Sequence, residues 1–124
     1  MTIKRVLIID DEDSIRKVVQ FGLPLVADWD VLVAGSGREG IITAQTEHLD
    51  AILLDVMMPQ MDGLATFRAL QQHPKTQFIP VIFLTAMATM SDHTTLNDLG
   101  GHGVITKPFN ALELAGQITK LLNW

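Results

Sequence analysis

Five short apolar runs recur along the chain: Val6–Ile9, Val31–Ala34, Ala51–Leu54, Val81–Leu84 and Val104–Thr106. They are rich in Val, Ile and Leu and do not alternate with polar residues, as strands covered on both faces of a parallel sheet do not. Between them the spacing becomes helical. Ile15, Val18, Val19, Leu23 and Val26 follow Asp13, the expected N-cap, and Pro24 is expected to kink that helix or end it early. Ser36-Gly37-Arg38-Glu39 reads as a capping box opening a second helix through about Glu47. Asp62 can cap a third, with Leu64, Phe67 and Leu70 on one face and an end before Pro74. Asp92 to Leu99 offers only Leu96 and Leu99 to a loosely packed fourth helix, stopped by Gly100-Gly101. Asn110 and Glu113 can cap the last, with Leu114, Ile118, Leu121 and Leu122 inward.

Strands alternating with helices imply a parallel sheet, helices on both faces and right-handed crossovers. The 124 residues hold too few units for an eight-stranded barrel. The expected fold is α/β: a doubly wound (βα)5, flavodoxin-like three-layer sandwich with parallel strand order 2-1-3-4-5. The length suits a single domain over residues 1–124, with no output domain expected in this chain. A formal charge of −5 disfavours direct nucleic-acid binding, and the lack of cysteine removes disulfides, thiolate metal sites and Cys nucleophiles. No apolar run approaches the roughly 18 residues of a membrane span. The N-terminus lacks the pattern of a signal peptide, so a cytoplasmic location without membrane insertion is expected.

In sheets of this kind ligands bind beyond the carboxyl ends of the strands. The first run ends in Asp10-Asp11, followed by Glu12 and Asp13; the third ends in Asp55, the fourth in Thr85-Ala86 and the fifth in Lys107-Pro108. Singly, each has a plainer reading: acids that cap a helix, a turn-capping Asp, a structural Thr, a surface Lys, and methionines that fill a core. Together they place carboxylates, a hydroxyl and an ammonium on one edge. Crowded carboxylates repel, which a divalent cation relieves, and an all-oxygen site with open positions suits Mg2+. Lys107 and Thr85 can hold an anion against such a site, and a carboxylate there is equipped to accept a phosphoryl group.

These residues resemble the receiver domain of bacterial response regulators in two-component signalling, in its single-domain, chemotaxis-regulator-like form. The likeness is carried by Asp10-Asp11, by Leu54-Asp55-Val56-Met57-Met58-Pro59-Gln60-Met61-Asp62-Gly63, by Thr85-Ala86, and by Lys107-Pro108-Phe109, in that order. It implies that Asp55 accepts a phosphoryl group from the phosphohistidine of a sensor histidine kinase or histidine phosphotransfer protein. It implies that Asp11, Asp55 and the Met57 backbone carbonyl ligate Mg2+, with Asp10 acting directly or through water. Thr85 and Lys107 would bind phosphoryl oxygens, the Lys107-Pro108 peptide would be cis, and Gly63 would let the loop turn tightly. The chain would be a signalling switch that promotes its own phosphorylation and dephosphorylation, acting on an unidentified downstream protein or relaying the phosphoryl group.

The sequence departs from the family at Val104, where many receivers carry the aromatic residue that turns inward on activation. The residues two after the acceptor and two after the Thr, Met57 and Met87, flank the approach of water, and neither thioether orients a water well. Three other functions compete. An aspartate-nucleophile Mg-dependent phosphatase needs an acid two residues after the nucleophile, where this chain has Met57. A flavodoxin-like electron carrier needs a hydroxyl- and glycine-rich phosphate loop, where this chain has Asp10-Asp11-Glu12-Asp13. A receiver-shaped docking module that is never phosphorylated would not need the intact acceptor positions.

Overall fold

A computed structural model describes residues 3–58, 62–86 and 96–124. The order of elements is β1 (Arg5–Ile9), α1 (Asp13–Ala27), β2 (Asp30–Ala34), α2 (Gly37–Thr46), β3 (Ala51–Asp55), α3 (Gly63–Gln72), β4 (Val81–Thr85), β5 (Gly103–Thr106) and α4 (Ala111–Leu122). All neighbouring strands are parallel, in the order β2-β1-β3-β4-β5. The doubly wound fold expected from the apolar runs is therefore the one observed. Most of the expected Asp92–Leu99 helix lies outside the described residues; residues 96–98 are helical, with Leu96 buried and Leu99 exposed.

Alternate residues of each strand serve opposite faces, so the sheet separates two apolar clusters. Leu7, Ile9, Ile52, Leu54 and Phe83 pack with Ala44 of α2 and with Phe67 and Leu70 of α3. Phe67 meets Phe83 edge to face at 5.0 Å between ring centres. Val6, Ile8, Leu53, Ile82, Leu84 and Ile105 pack with Val19 and Leu23 of α1 and with Leu114 and Ile118 of α4. A Cβ at Gly22 would lie 2.6 Å from the Ala111 Cβ, so α1 and the start of α4 approach closely. At the amino ends of the strands, Arg5 pairs with Asp30 at 3.1 Å and Glu47 at 3.2 Å, while its N–H donates to Asp50. That clamp ties β1 to β2 and to the turn before β3.

The helix ends refine the sequence reading. Asp13 is the first helical residue of α1 rather than its cap; Glu12 holds the cap position without a capping side-chain bond, and Asp13 instead pairs with Arg16 and Lys17. Pro24 does not end α1, which runs on to Ala27 and stops at Asp28 in the left-handed conformation. Pro24 lies on the exposed face, where water can satisfy the carbonyl that its missing N–H leaves behind. Ser36 caps α2 by accepting from the Glu39 N–H, but the Glu39 carboxylate returns to the Gly35 N–H, one residue upstream of the reciprocal box. Asp62 and Asn110 cap α3 and α4 as expected. Leu121, expected inward, is exposed.

Candidate functional site

Parallel strands end at a common edge, which brings the residues after each apolar run together. Asp10 follows β1, Asp55 and Thr85 close β3 and β4, and Lys107 follows β5. Main-chain bonds extend the ladders to these positions: Asp10 N to Ala34 O at 3.1 Å, Val56 N to Leu84 O at 3.0 Å, and Lys107 N to Thr85 O at 2.8 Å. The acidic and basic groups are thus carried at the hydrogen-bonded ends of the parallel strands.

Asp10 is fully buried and Asp55 is 3% exposed. Asp10 Oδ1 accepts from the Glu12 N–H at 2.9 Å, and the Asp10 carbonyl accepts from Arg16 Nη1 at 2.8 Å. Asp10 Oδ2 lies 2.8 Å from Lys107 Nζ, and among the described residues this ammonium is the one polar group paired with that buried oxygen. Asp55 Oδ1 accepts from the Met57 N–H at 3.2 Å and stands 3.3 Å from Lys107 Nζ. The ammonium, whose side chain is 12% exposed, also reaches Glu12 Oε1 at 3.4 Å.

Charge sets the chemistry of the pocket. Asp10, Asp11 and Asp55 each present an oxygen within 4.8 Å of the others. One ammonium faces these carboxylates and Glu12. Burial, and then the Asp10 carboxylate, push the Asp55 carboxyl up to about 6, against the opposing pull of Lys107 and the Met57 N–H. Burial works against the Lys107 ammonium, but Asp10, Asp55 and Glu12 outweigh it and hold its pKa above the usual lysine value. A pocket in which one ammonium faces several carboxylates, three of them able to offer an oxygen to one ion, fits a hard divalent cation.

The expected site residues Asp10, Asp11, Asp55 and Lys107 are brought together, and Thr85 is buried at the same edge. The Lys107–Pro108 peptide is cis. Met57 contributes its N–H to Asp55, and the residue is 67% exposed. Met87 lies outside the described residues. At Gly63 the chain comes back against its own backbone: a Cβ there would lie 2.2 Å from the Asp55 carbonyl oxygen and 2.6 Å from Val56 Cα. Val104 is partly buried, beside a cavity of about 390 Å³ lined also by Thr106, Gln117, Lys120 and Leu121. The Lys107 side chain is largely enclosed, unlike that of an ordinary surface lysine. The side chain of Glu12 was not legible as part of the site: in the sequence it is one acid among four, and its link to Lys107 spans 95 residues.

Comparison with known proteins agrees with this geometry. The family model for the response regulator receiver domain matches residues 6–119. The chain is 37% identical over 119 residues to a protein named probable transcriptional regulator ycf27 of Cyanophora paradoxa, covering 96% of this chain and 48% of that protein. It is 36% identical over 119 residues to the alkaline phosphatase synthesis transcriptional regulatory protein PhoP of Bacillus subtilis (strain 168), again covering 96% and 48%. The chain therefore spans about half the length of the curated relatives it matches. Among solved structures, chemotaxis response regulator CheY4 of Vibrio cholerae superposes with a TM-score of 0.88 at 31% identity, covering 97% of this chain and 99% of that one. The receiver domain of Francisella response regulator 1452 gives 0.85 at 28%, covering 97% of each. With a family model spanning nearly the whole chain and the acidic edge built as described, the chain belongs to the response regulator receiver domains of two-component systems, signalling switches that accept a phosphoryl group.

Proposed function

We propose that Asp55 is the phosphoacceptor of this receiver and that Asp10, Asp11 and Asp55 hold Mg2+. The observation that carries the reading is the buried Asp55 carboxylate, 3.3 Å from Lys107 and within one cation's reach of Asp10 and Asp11. In the transfer, an Asp55 carboxylate oxygen forms a bond to phosphorus as the phosphorus–nitrogen bond of a phosphohistidine donor breaks, the histidine nitrogen keeping the electron pair. In the metal-free site burial and Asp10 push the Asp55 carboxyl up to about 6, and a bound cation would favour the ionised carboxylate that attack on phosphorus requires. Lys107 supplies a fixed positive charge beside the incoming oxygens, and Thr85 a hydroxyl at the same edge. Mg2+, when bound, would neutralise the carboxylates and draw charge from the transferring phosphoryl group.

The partners in this reading are a histidine kinase or a histidine phosphotransfer protein upstream and a protein target downstream. Relatives that the chain matches are named as transcriptional regulators, which supports transcriptional control as the downstream output. This chain, with a charge of −5, contributes the switch rather than a nucleic-acid surface. Among the described residues no helix is long and apolar enough to cross a membrane. A phosphatase reading lacks its general acid, because the position two after Asp55 is Met57.

Incubation with acetyl phosphate and Mg2+ followed by intact-mass measurement tests the assignment. Gain of one phosphoryl group is expected, and its loss on Asp55→Asn or on chelation of Mg2+. Uptake that persists in Asp55→Asn would move the acceptor elsewhere.

A further inference from the structure

Glu12 stands where a capping residue would, yet its side chain makes no cap hydrogen bond. Its carbonyl accepts the first helical bond from the Arg16 N–H, and its other two polar contacts point into the site. The backbone N–H fixes Asp10 Oδ1 at 2.9 Å, and carboxylate Oε1 accepts a hydrogen bond from Lys107 Nζ at 3.4 Å. The other carboxylates paired with Lys107 are Asp10 and Asp55, and both belong to the group of three that can hold a cation. Among the described residues, Glu12 is thus the one ion-pair partner of Lys107 outside that group.

The ammonium sits against the same charge that a divalent cation would neutralise. Once a cation draws on Asp10 and Asp55, their hold on Lys107 weakens and the two positive charges repel. The lysine then needs a different acceptor if it is to stay at the pocket. Glu12 is placed to be that acceptor, half in solvent and joined to Asp10 through its own backbone.

We propose that Glu12 is a positioning residue: it keeps the Lys107 ammonium at the rim of the site when a divalent cation occupies Asp10, Asp11 and Asp55. The inference rests on the Mg2+ reading of the site. It predicts that loss of the Glu12 charge matters to Lys107 only when the metal is bound. Without metal, Asp10 at 2.8 Å and Asp55 at 3.3 Å hold the ammonium by themselves.

The test is lysine-selective labelling of the folded full chain, read residue by residue by mass spectrometry. Wild type, Glu12→Gln and Glu12→Asp are compared with and without saturating Mg2+, with Mg2+ binding to each followed separately by calorimetry. Lys107 should label at least fivefold faster in Mg2+-loaded Glu12→Gln than in Mg2+-loaded wild type. Metal-free rates should agree within twofold, and Glu12→Asp should restore part of the protection. Equal Lys107 labelling in the two metal-loaded proteins would overturn the proposal, as would an equal increase without metal, which marks a merely structural loss. Absence of Mg2+ binding to wild type would overturn the metal reading and this inference with it. Failure to gain a phosphoryl group while Mg2+ still binds would count against the acceptor assignment alone. A general unfolding in Glu12→Gln would show as faster labelling of Lys4 and Lys120 and is scored against the proposal if Glu12→Asp does not reverse it at Lys107.

Discussion

At the scale of single residues, burial and a neighbouring carboxylate act against the ionised form of Asp55. Asp55 is 3% exposed and its carboxyl is pushed up to about 6 by burial and by Asp10. In an unfolded chain the same group ionises near 3.8. The folded state therefore binds the proton more tightly, and between these values stability falls as pH rises. Below about 4 the penalty is absent, and above about 6 it is complete. Asp55→Asn should accordingly stabilise the metal-free protein at pH 7.5, by roughly 1–3 kcal/mol, and by clearly less at pH 5. Urea unfolding of both proteins at the two pH values measures this, and Mg2+ at pH 7.5 should narrow the difference by stabilising wild type. A difference that does not change with pH would remove the strained carboxylate from the account. The exposed side chain of Met57 suggests a second measurement. It brings no group able to orient a hydrolytic water, so phosphate loss should be slow, with a half-life on the order of many minutes or longer. Met57→Asn should accelerate the decay once the phosphodonor is removed, each tenfold corresponding to about 1.4 kcal/mol in the barrier. A wild-type half-life of seconds would contradict the explanation.

At the scale of elements, two glycines make opposite predictions. A Cβ at Gly63 would strike the backbone of Asp55 and Val56, neither of which can rotate away. Gly63→Ala must part α3 from the end of β3 and should cost about 1–3 kcal/mol while disturbing Mg2+ binding. Gly116 lies within α4 with nothing within 4 Å of its missing Cβ. Gly116→Ala should stabilise by about 0.5–1 kcal/mol and leave Mg2+ affinity unchanged. Thermal melts with calorimetric Mg2+ titrations separate the two, and a destabilising Gly116→Ala would show that α4 is more tightly covered than it is here. The intrinsic tryptophans are poor reporters for such titrations. Trp29 and Trp124 stack edge to face beside Lys4 at the amino ends of the strands, opposite the site. What was legible in the sequence follows the same division. Strand positions could be read because burial on both faces forces continuous apolar runs, and parallel pairing then aligned Asp10, Asp55, Thr85 and Lys107 without further information. Helix ends were read less well, since Glu12 and Asp13 are chemically alike and only the backbone decides which of them caps. The inward count for α4 included Leu121, because periodicity does not say where a stripe leaves the sheet's edge.

At the scale of the whole molecule, the two sides of the sheet are unequally free to respond to phosphorylation. On one side α1 and α4 are locked by Val19, Leu23, Leu114 and Ile118, and by the close approach of Gly22 to Ala111. At the β5 edge of the sheet, β4 and β5 run from Thr85 and Lys107 toward Val104, where the usual aromatic is absent and a cavity of about 390 Å³, lined also by Gln117, Lys120 and Leu121 of α4, adjoins the small side chain. Val104 is already packed against the apolar cluster, so it has no inward swing to make when phosphate draws on Thr85. We propose that the displacement is passed instead to the part of the chain that follows β4, where, among the described residues, Leu96 is buried and Leu99 exposed. Hydrogen exchange with and without the phosphate mimic beryllofluoride should therefore change most between residues 86 and 101, and little in α1. Val104→Phe should fill the adjoining cavity, restore a ring that can move between two positions, and spread the exchange difference into β5 and α4. Changes concentrated in α1, or an unchanged pattern in Val104→Phe, would place the output of this receiver on the α1 side of the sheet instead.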